Sequence, residues 1–416
     1  MSLMCQKNSF LQEYKSPVLS CQSSSLNLNG KQYQGFDVVL EDSIFFPEGG
    51  GQPYDTGLLD DQKVINVRRD GNKAILFVES GDDHCRLFDC GQQPLQKIDW
   101  NRRFDHMQQH SGQHLITAVA LKYFNLLTTS WNLGADVSNI ELDTAQISDE
   151  TIEQLEQKVN EKIRENLPIT VSYRDKDDLA DIRQQMELPD DLNQQSLRII
   201  SIESLDKNPC CGTHVSNLCQ LQIIKLLGIQ KGKKGKTLLF FHSGNRVLKH
   251  MNNLLQREKS LSSLLKCTGE EFVPIVDKLQ KNVRRLQKNC TSAMRDLARC
   301  EAEKYIRLVD KPKLYSIHRK ESEYDFITSF FNQIDNPSSS LIDNRLILIS
   351  LADDCNSLKS PGQIVIAGDQ QLVEKSAKIA IDSFGAKGSI SQGRFRARIL
   401  DISKLPKLEE MIKQTI

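Results

Sequence analysis

The sequence predicts an α+β fold of four parts: a small N-terminal β-barrel, an α+β core, a helical or coiled-coil arm and a small C-terminal α/β domain. Three observations carry this. Short strand-like segments crowd the first 98 residues, apolar residues recur at helical spacing from 249 to 308 with Gly269 as the one glycine, and strands alternate with a helix after residue 313. The boundaries so read are 1–98, 99–248, 249–312 and 313–416.

In the first part GFDVVL, VINVRR and KAILFVES are the clearest strands, and the glycine-rich PEGGGQPYDTG interrupts them as a long loop. Strands this closely spaced suit a small barrel or sandwich. In the core, HMQQHSGQH runs on into LITAVALKYFNLL, apolar at helical spacing. TIEQLEQKVNEKIREN is amphipathic, with Ile152, Leu155, Val159 and Ile163 on one face. Strand-like ITVSYR, LRIISI, LQIIKLL and TLLFFHS follow. In the arm, Leu279, Val283, Leu286, Cys290, Ala293, Leu297 and Cys300 alternate steps of four and three, the spacing of a helical hairpin or coiled coil. Beyond KPK at 311 to 313, RLILISLA and GQIVIAGD read as strands and QQLVEKSAKIAIDSFGA as a helix.

The 416 residues carry 54 Lys plus Arg and 54 Asp plus Glu, so no global field attracts polyanions and no DNA partner is expected. The start, MSLMCQKNSFLQEYKS, lacks a signal-peptide core, and no run is long and apolar enough for a membrane. Eleven cysteines without a repeated spacing argue against a disulfide scaffold and for a reducing compartment, the cytoplasm by default. Nothing in the pattern specifies an oligomer.

Two clusters carry the chemistry. His106, His110 and His114, three of eight histidines, stand one helical turn apart. About a hundred residues on, NPCCGTHVSN places Cys210 four residues before His214 in a turn. Cys with several His is a nitrogen and sulfur set suited to Zn²⁺, and a pair on a helix with a pair on a loop lets one metal tie two elements together. Spacing alone leaves His106 open as a substitute for His114, and Cys211 for Cys210.

Together the clusters resemble a known family. HSGQH followed by CCGTHV is similar to the paired HxxxH and CxxxH motifs of the alanyl-tRNA editing domain, found in alanyl-tRNA synthetase and in free-standing AlaX editing proteins. A related domain occurs in threonyl-tRNA synthetase. FFPEGGGQPYDTG at 45 to 57 resembles the AlaX glycine-rich motif, and NRRFDHMQQHSGQHL resembles the long AlaX form throughout. The tail, PGQIVIAGD and GAKGSISQGRF, is similar to the C-terminal domain shared by alanyl-tRNA synthetases and DHH phosphoesterases. It departs from many relatives in carrying Ser389, Ile390 and Ser391 where they are richer in glycine. The resemblance spans nearly the whole chain in matching order, and the long, animal-type free-standing form fits best.

The resemblance implies that His110, His114, Cys210 and His214 hold one Zn²⁺, leaving His106 unassigned. It also implies hydrolysis of the aminoacyl ester of tRNA for alanine mischarged with serine or glycine. Zinc polarises carbonyls and lowers the pKa of water, although four protein ligands describe a closed site. Gly49, Gly50 and Gly51 let backbone N–H groups approach the substrate, and the Gln52 amide can add hydrogen bonds. Thr213 and Gln113 are further pocket candidates. Lys225, Lys231, Lys233, Lys234 and Lys236, with Arg394, Arg396 and Arg398, supply cations for phosphates.

Rival readings fail on particular residues. Only about a hundred residues precede HSGQH, too few for an amino-acid-activating domain. DHM at 105 to 107 and DDH at 82 to 84 do not make a DHH phosphoesterase, and Ser111 after His110 excludes an HExxH protease. The alternative that stands is a non-catalytic, zinc-stabilised tRNA-binding or scaffolding protein.

Overall fold

The computed structural model describes residues 2–80, 87–175, 196–320, 324–334, 344–353 and 361–416, so the DDH stretch lies outside the described residues. The structure is mixed α and β. It divides into two compact units, Met1–Ser260 and Leu261–Ile416.

The first unit opens with a short helix, α1 (Met4–Lys7), and seven strands: β1 (Glu13–Lys15), β2 (Val18–Leu28), β3 (Lys31–Leu40), β4 (Gly57–Leu59), β5 (Gln62–Asp70), β6 (Lys73–Glu79) and β7 (Leu95–Ile98). Their order in one sheet is β1-β7-β4-β5-β6-β3-β2. β1 and β2 end that order on opposite sides, yet only Ser16 and Pro17 separate them in the chain. The sheet therefore curls until its ends approach. Inside the curl lie Val38, Leu40, Leu59, Val64, Val67, Leu76 and Val78, with Ile44, Phe45 and Phe46 of the loop after β3. Alternation along β3, and a bulge between Val64 and Asn66 in β5, put these side chains on one face.

β7 runs into α2 (Trp100–Phe124), capped by the Asp99 carboxylate, which accepts the Arg102 N–H, and closed by Asn125 at φ 53°. Nearly every residue from Arg103 to Ala120 is buried, polar ones included. Around it stand α3 (Asp149–Glu165), the three strands β10 (Ile169–Asp175), β11 (Ser196–Ile202) and β12 (Asp206–Pro209), and a four-stranded sheet. That sheet has the order β13 (Ile224–Lys231), β14 (Thr237–Ser243), β9 (Ser138–Leu142), β8 (Thr128–Asn132). α3 buries Leu155, Val159 and Ile163, the face its periodicity marks, and Ile152 packs at the edge. The interior glutamines of α2 stay satisfied: Gln109 exchanges two bonds with the Ser243 backbone (2.8 and 3.1 Å), and Gln108 donates to the Gln220 carbonyl. α4 (Asn245–Leu265) then leaves β14.

In the second unit, β15 (Leu314–Arg319), β16 (Leu346–Ala352), β17 (Gly362–Gly368), β19 (Arg394–Ile399) and β18 (Lys387–Ser391) form one sheet in that order, with only β15 and β16 parallel. α7 (Gln370–Phe384) and α8 (Leu405–Lys413) cover one face. α6 (Tyr324–Ile334) and the end of α5 (Phe272–Arg307) cover the other. Burial on both faces explains why β16 reads as an unbroken apolar run. The four-and-three seam of the sequence does not continue to the end of α5. Leu279, Val283 and Leu286 are exposed, and the helix buries Ala298, Ala302 and Tyr305 instead of Cys300. Two alanines let α5 approach α6 closely, so small residues won over the heptad positions.

One buried ion pair joins the curled sheet to α2. Arg103 and Asp55 are fully buried and bonded to each other, and Arg103 also donates to the Ser9 carbonyl at 3.0 Å. Asp55 accepts the Phe46 N–H at 2.7 Å. Removing one partner strands the other charge, so Asp55→Ala should cost about 3–5 kcal/mol. Urea unfolding followed through the first unit measures this, and a loss under about 1 kcal/mol would show the pair to be dispensable.

Candidate metal centre

The helix stacks His110 and His114 with ring centroids 5.1 Å apart, and the turn after β12 brings Cys210 and His214 against them. Cys210 Sγ lies 3.3 Å from Nε2 of both His110 and His214. One ligand atom of each of His110, His114, Cys210 and His214 lies within 4.8 Å of the others, so the four could hold a metal ion. Cys211 is exposed and outside this group, as is His106, which is buried farther back along the helix.

The groups behind the ligands fit a cation. Gln52 Oε1 accepts the Thr213 N–H at 3.0 Å, which identifies it as the oxygen, and lies 2.9 Å from His110 Nδ1. An amide oxygen only accepts, so His110 carries its proton on Nδ1 and presents a bare Nε2 lone pair to the cluster. Ser111 Oγ, 3.2 Å from His214 Nδ1, is placed to do the same for His214. Burial is the main reason all three imidazoles stay neutral: it pushes His114 down to about 4 and His110 and His214 well below the usual range. Burial also raises the Cys210 thiol to about 11, against the pull of the Gly212 N–H and Arg198. Three neutral nitrogen donors and one sulfur facing a common point suit a borderline-soft divalent cation.

The glycine-rich motif reaches the same place. Gly49 and Gln52 exchange two backbone bonds of 3.1 Å across Gly50 (φ 59°) and Gly51 (φ 82°), a tight turn with two left-handed residues. A Cβ on Gly51 would meet the Trp131 indole at 2.7 Å. Trp131 in turn lies against His110, 4.6 Å between centroids. Gly49, Gly50, Trp131, His110, His114 and Cys210 line a cavity of about 610 Å³, with Gln113, Thr117, Thr128, Thr129 and Ser130 on one part of its wall and Arg69, Arg198 and Asn208 on another. Gln52 and Thr213 are fully buried behind it, Gln52 Nε2 donating to Thr213 Oγ1 at 2.8 Å. Sequence reasoning missed Trp131 and Ser111. Ser111 lies inside the quoted histidine motif, and Trp131 is one of only two tryptophans.

The cations are divided. Lys225 pairs with Glu156 and Lys236 with Glu141, leaving Lys231, Lys233 and Lys234 at the exposed β13–β14 hairpin. On β19, Arg394, Arg396 and Arg398 alternate with buried Phe395 and Ala397; Arg398 pairs with Asp353 and Arg394 lies over the Phe331 ring. Among the described residues no helix is long and apolar enough to cross a membrane.

A buried His₃Cys group in this α+β setting defines a domain class. Residues 197–240 match the family described as the threonyl and alanyl tRNA synthetase second additional domain. Along its whole length the chain is similar to alanyl-tRNA editing proteins. It is 42% identical to one from Xenopus laevis over 421 residues, and 42% identical to one from Danio rerio over 419 residues. It is 40% identical to one from Mus musculus over 423 residues. Each comparison covers 100% of this chain and 98% of the relative. The chain belongs to the alanyl-tRNA editing protein family.

Two predictions follow from this geometry. Gln52→Ala leaves all four ligands in place but frees His110, so zinc affinity in a chelator competition should fall about 10–100-fold. His110→Ala with Cys210→Ala should abolish binding, and full zinc content in that double variant would redirect the site to His106 and Cys211. Separately, burial holds His106 down to about 3, with Arg102 and Arg246 adding repulsion. The unfolded chain binds that proton below about 6.5 while the folded chain does not, so stability falls with pH between about 6.5 and 3, by up to about 1.4 kcal/mol per unit. His106→Gln should flatten the acid side of a stability–pH curve and leave the curve above pH 7 unchanged.

Proposed function

We propose that this chain is a trans-editing hydrolase, an aminoacyl-tRNA deacylase that cleaves the ester of tRNA for alanine carrying serine or glycine. The observation that carries this reading is the cavity shared by the His₃Cys cluster and the glycine turn, in a chain of the alanyl-tRNA editing family. His110, His114, Cys210 and His214 would hold Zn²⁺, which when bound supplies Lewis-acid polarisation of a carbonyl or water.

The chain's own groups account for the rest. The turn's bridge uses the N–H groups of Gly49 and Gln52, so those of Gly50 and Gly51 are left as donors for an oxyanion at the rim. Gln52 and Thr213, with their amide and hydroxyl spent on each other and on His110, act as positioning residues. The hydroxyls of Thr117, Thr128, Thr129 and Ser130 give the wall partners for a seryl side chain, and would lose them to an alanyl methyl. Lys231, Lys233, Lys234 and the arginines of β19 suit phosphates, which position the RNA without reading its sequence.

The test is deacylation of seryl-, glycyl- and alanyl-tRNA for alanine by zinc-loaded protein. Seryl or glycyl ester should be cleaved in preference to alanyl. Gly50→Val puts a β-branched residue at φ 59° on the cavity rim and should slow seryl-tRNA deacylation roughly a hundredfold, with zinc content unchanged. No hydrolysis by wild type would establish the non-catalytic tRNA-binding alternative. Equal hydrolysis by folded, zinc-loaded Gly50→Val would reduce the loop to a turn.

A further inference from the structure

We propose that the first unit carries a second ligand site, a nucleotide-binding cavity on the side of α2 opposite the metal cluster. At about 100° per residue, Trp100, Asn101, Phe104 and Asp105 project away from the face of His110, Gln113 and His114. They line a separate cavity of about 720 Å³, closed by the loop at Ala135 to Val137, by His242 at the end of β14 and by the first turns of α4. It shares no lining residue with the metal cavity.

The chemistry of its walls matches the three parts of a nucleotide. Trp100 and Phe104, partly exposed and 5.6 Å apart between centroids at 30°, offer aromatic surface for a base. Asn101, Asn245 and Asn253 offer exposed amides that both donate and accept, as base edges require. Lys249 on α4 supplies a cation for a phosphate, the His250 ring beside it a further hydrogen-bonding group, and Asp136 across the cavity an acceptor for ribose hydroxyls. The wall is held rigid by Arg246, whose Nε and Nη2 each donate to the Asp105 carboxylate at 2.8 Å.

The lining also bears on the kind of occupant. An apolar ligand would leave the amides of Asn101, Asn245 and Asn253 without partners. A bare cation would find the carboxylate of Asp105 already engaged by Arg246. A base with its ribose phosphate uses all of these groups, whether it is an unpaired nucleotide of an RNA or a free mononucleotide.

The chain's two tryptophans make the test direct. Trp131→Phe leaves Trp100 as the sole indole, inside the cavity in question. Its emission is followed while AMP, GMP, CMP, UMP and deacylated tRNA are added separately, with inorganic phosphate as control. Saturable quenching by at least one mononucleotide or by tRNA is expected, with none from phosphate. Asn101→Ala with Asn253→Ala, neutral and exposed, should weaken that binding about tenfold. Quenching by tRNA alone, or by a mononucleotide that tRNA displaces, assigns the site to an RNA-borne base. A mononucleotide that tRNA does not displace assigns it to a free nucleotide. Flat emission with all five ligands, or quenching untouched by the double variant, overturns the proposal. None of these readouts depends on ester hydrolysis, so failure of the deacylase reading would leave them unaffected.

Discussion

The bond between His110 Nδ1 and Gln52 Oε1 is where three distant parts of the chain become one centre. Gln52 closes the glycine turn, His110 stands on α2, and the same amide oxygen takes the N–H of Thr213 from the Cys-His turn. Each group settles another's state. The Thr213 N–H orients the amide, the amide fixes the imidazole tautomer, and the tautomer directs a bare nitrogen at Cys210. Gly212 completes the constraint. A Cβ there would sit 2.3 Å from the His110 ring and 2.8 Å from Gln52 Oε1, so only glycine lets the turn pass. Three residues beyond Gln52, Asp55 anchors the same loop to Arg103 of α2. The loop is thus pinned to one helix twice, first through an amide and then through a buried charge.

That arrangement accounts for how a stretch as polar as HMQQHSGQH can lie inside the protein. Most buried polar groups on this stretch of α2 have specific work: Gln108 and Gln109 tie it to backbone near Gln220 and Ser243, Ser111 meets His214 and the Val215 N–H, and His110 meets Gln52. A buried polar network is stabilising only when its members are matched. Among the described residues, Nδ1 of His106 and Nδ1 of His242 are buried imidazole nitrogens without a partner. His106 carries its lack as a strongly suppressed basicity.

Much of this was legible in the residues, for identifiable reasons. Closely spaced strand-like segments located the curled sheet, and the 3.6-residue period located α3 and its buried face, because one face of that helix meets the core. The two ligand pairs were visible as spacings and joined by their shared zinc chemistry, but choosing His114 over His106 and Cys210 over Cys211 needed the family resemblance. Burial of the polar stretch from His106 to His114 was not legible, because the hydrogen bonds that let it lie inside come from residues distant in sequence. Nor was the role of Gln52. From sequence it reads as a substrate contact beside three glycines, whereas its amide is consumed by Thr213 and His110. Near the end of α5 the four-and-three seam does not mark the buried face, because packing against α6 selected Ala298 and Ala302.

Every residue lining the metal cavity, from Phe46 to Cys211, belongs to the first unit. The chemistry proposed there therefore requires no side chain from the second unit, whose outward arginines on β19 are spaced by buried Phe395 and Ala397 and partly occupied by Asp353 and Phe331. Contacts to phosphate contribute affinity and placement, and that contribution is equal for a correctly and an incorrectly charged RNA. Discrimination has to come from the few atoms by which one aminoacyl group differs from another. Those atoms can be read only where partners are fixed in advance of binding. In the reading proposed above, exposed cations would gather the RNA. The wall hydroxyls of Thr117, Thr128, Thr129 and Ser130 would tell one aminoacyl group from another, and the buried Gln52 amide would act only by holding the turn and His110 in place.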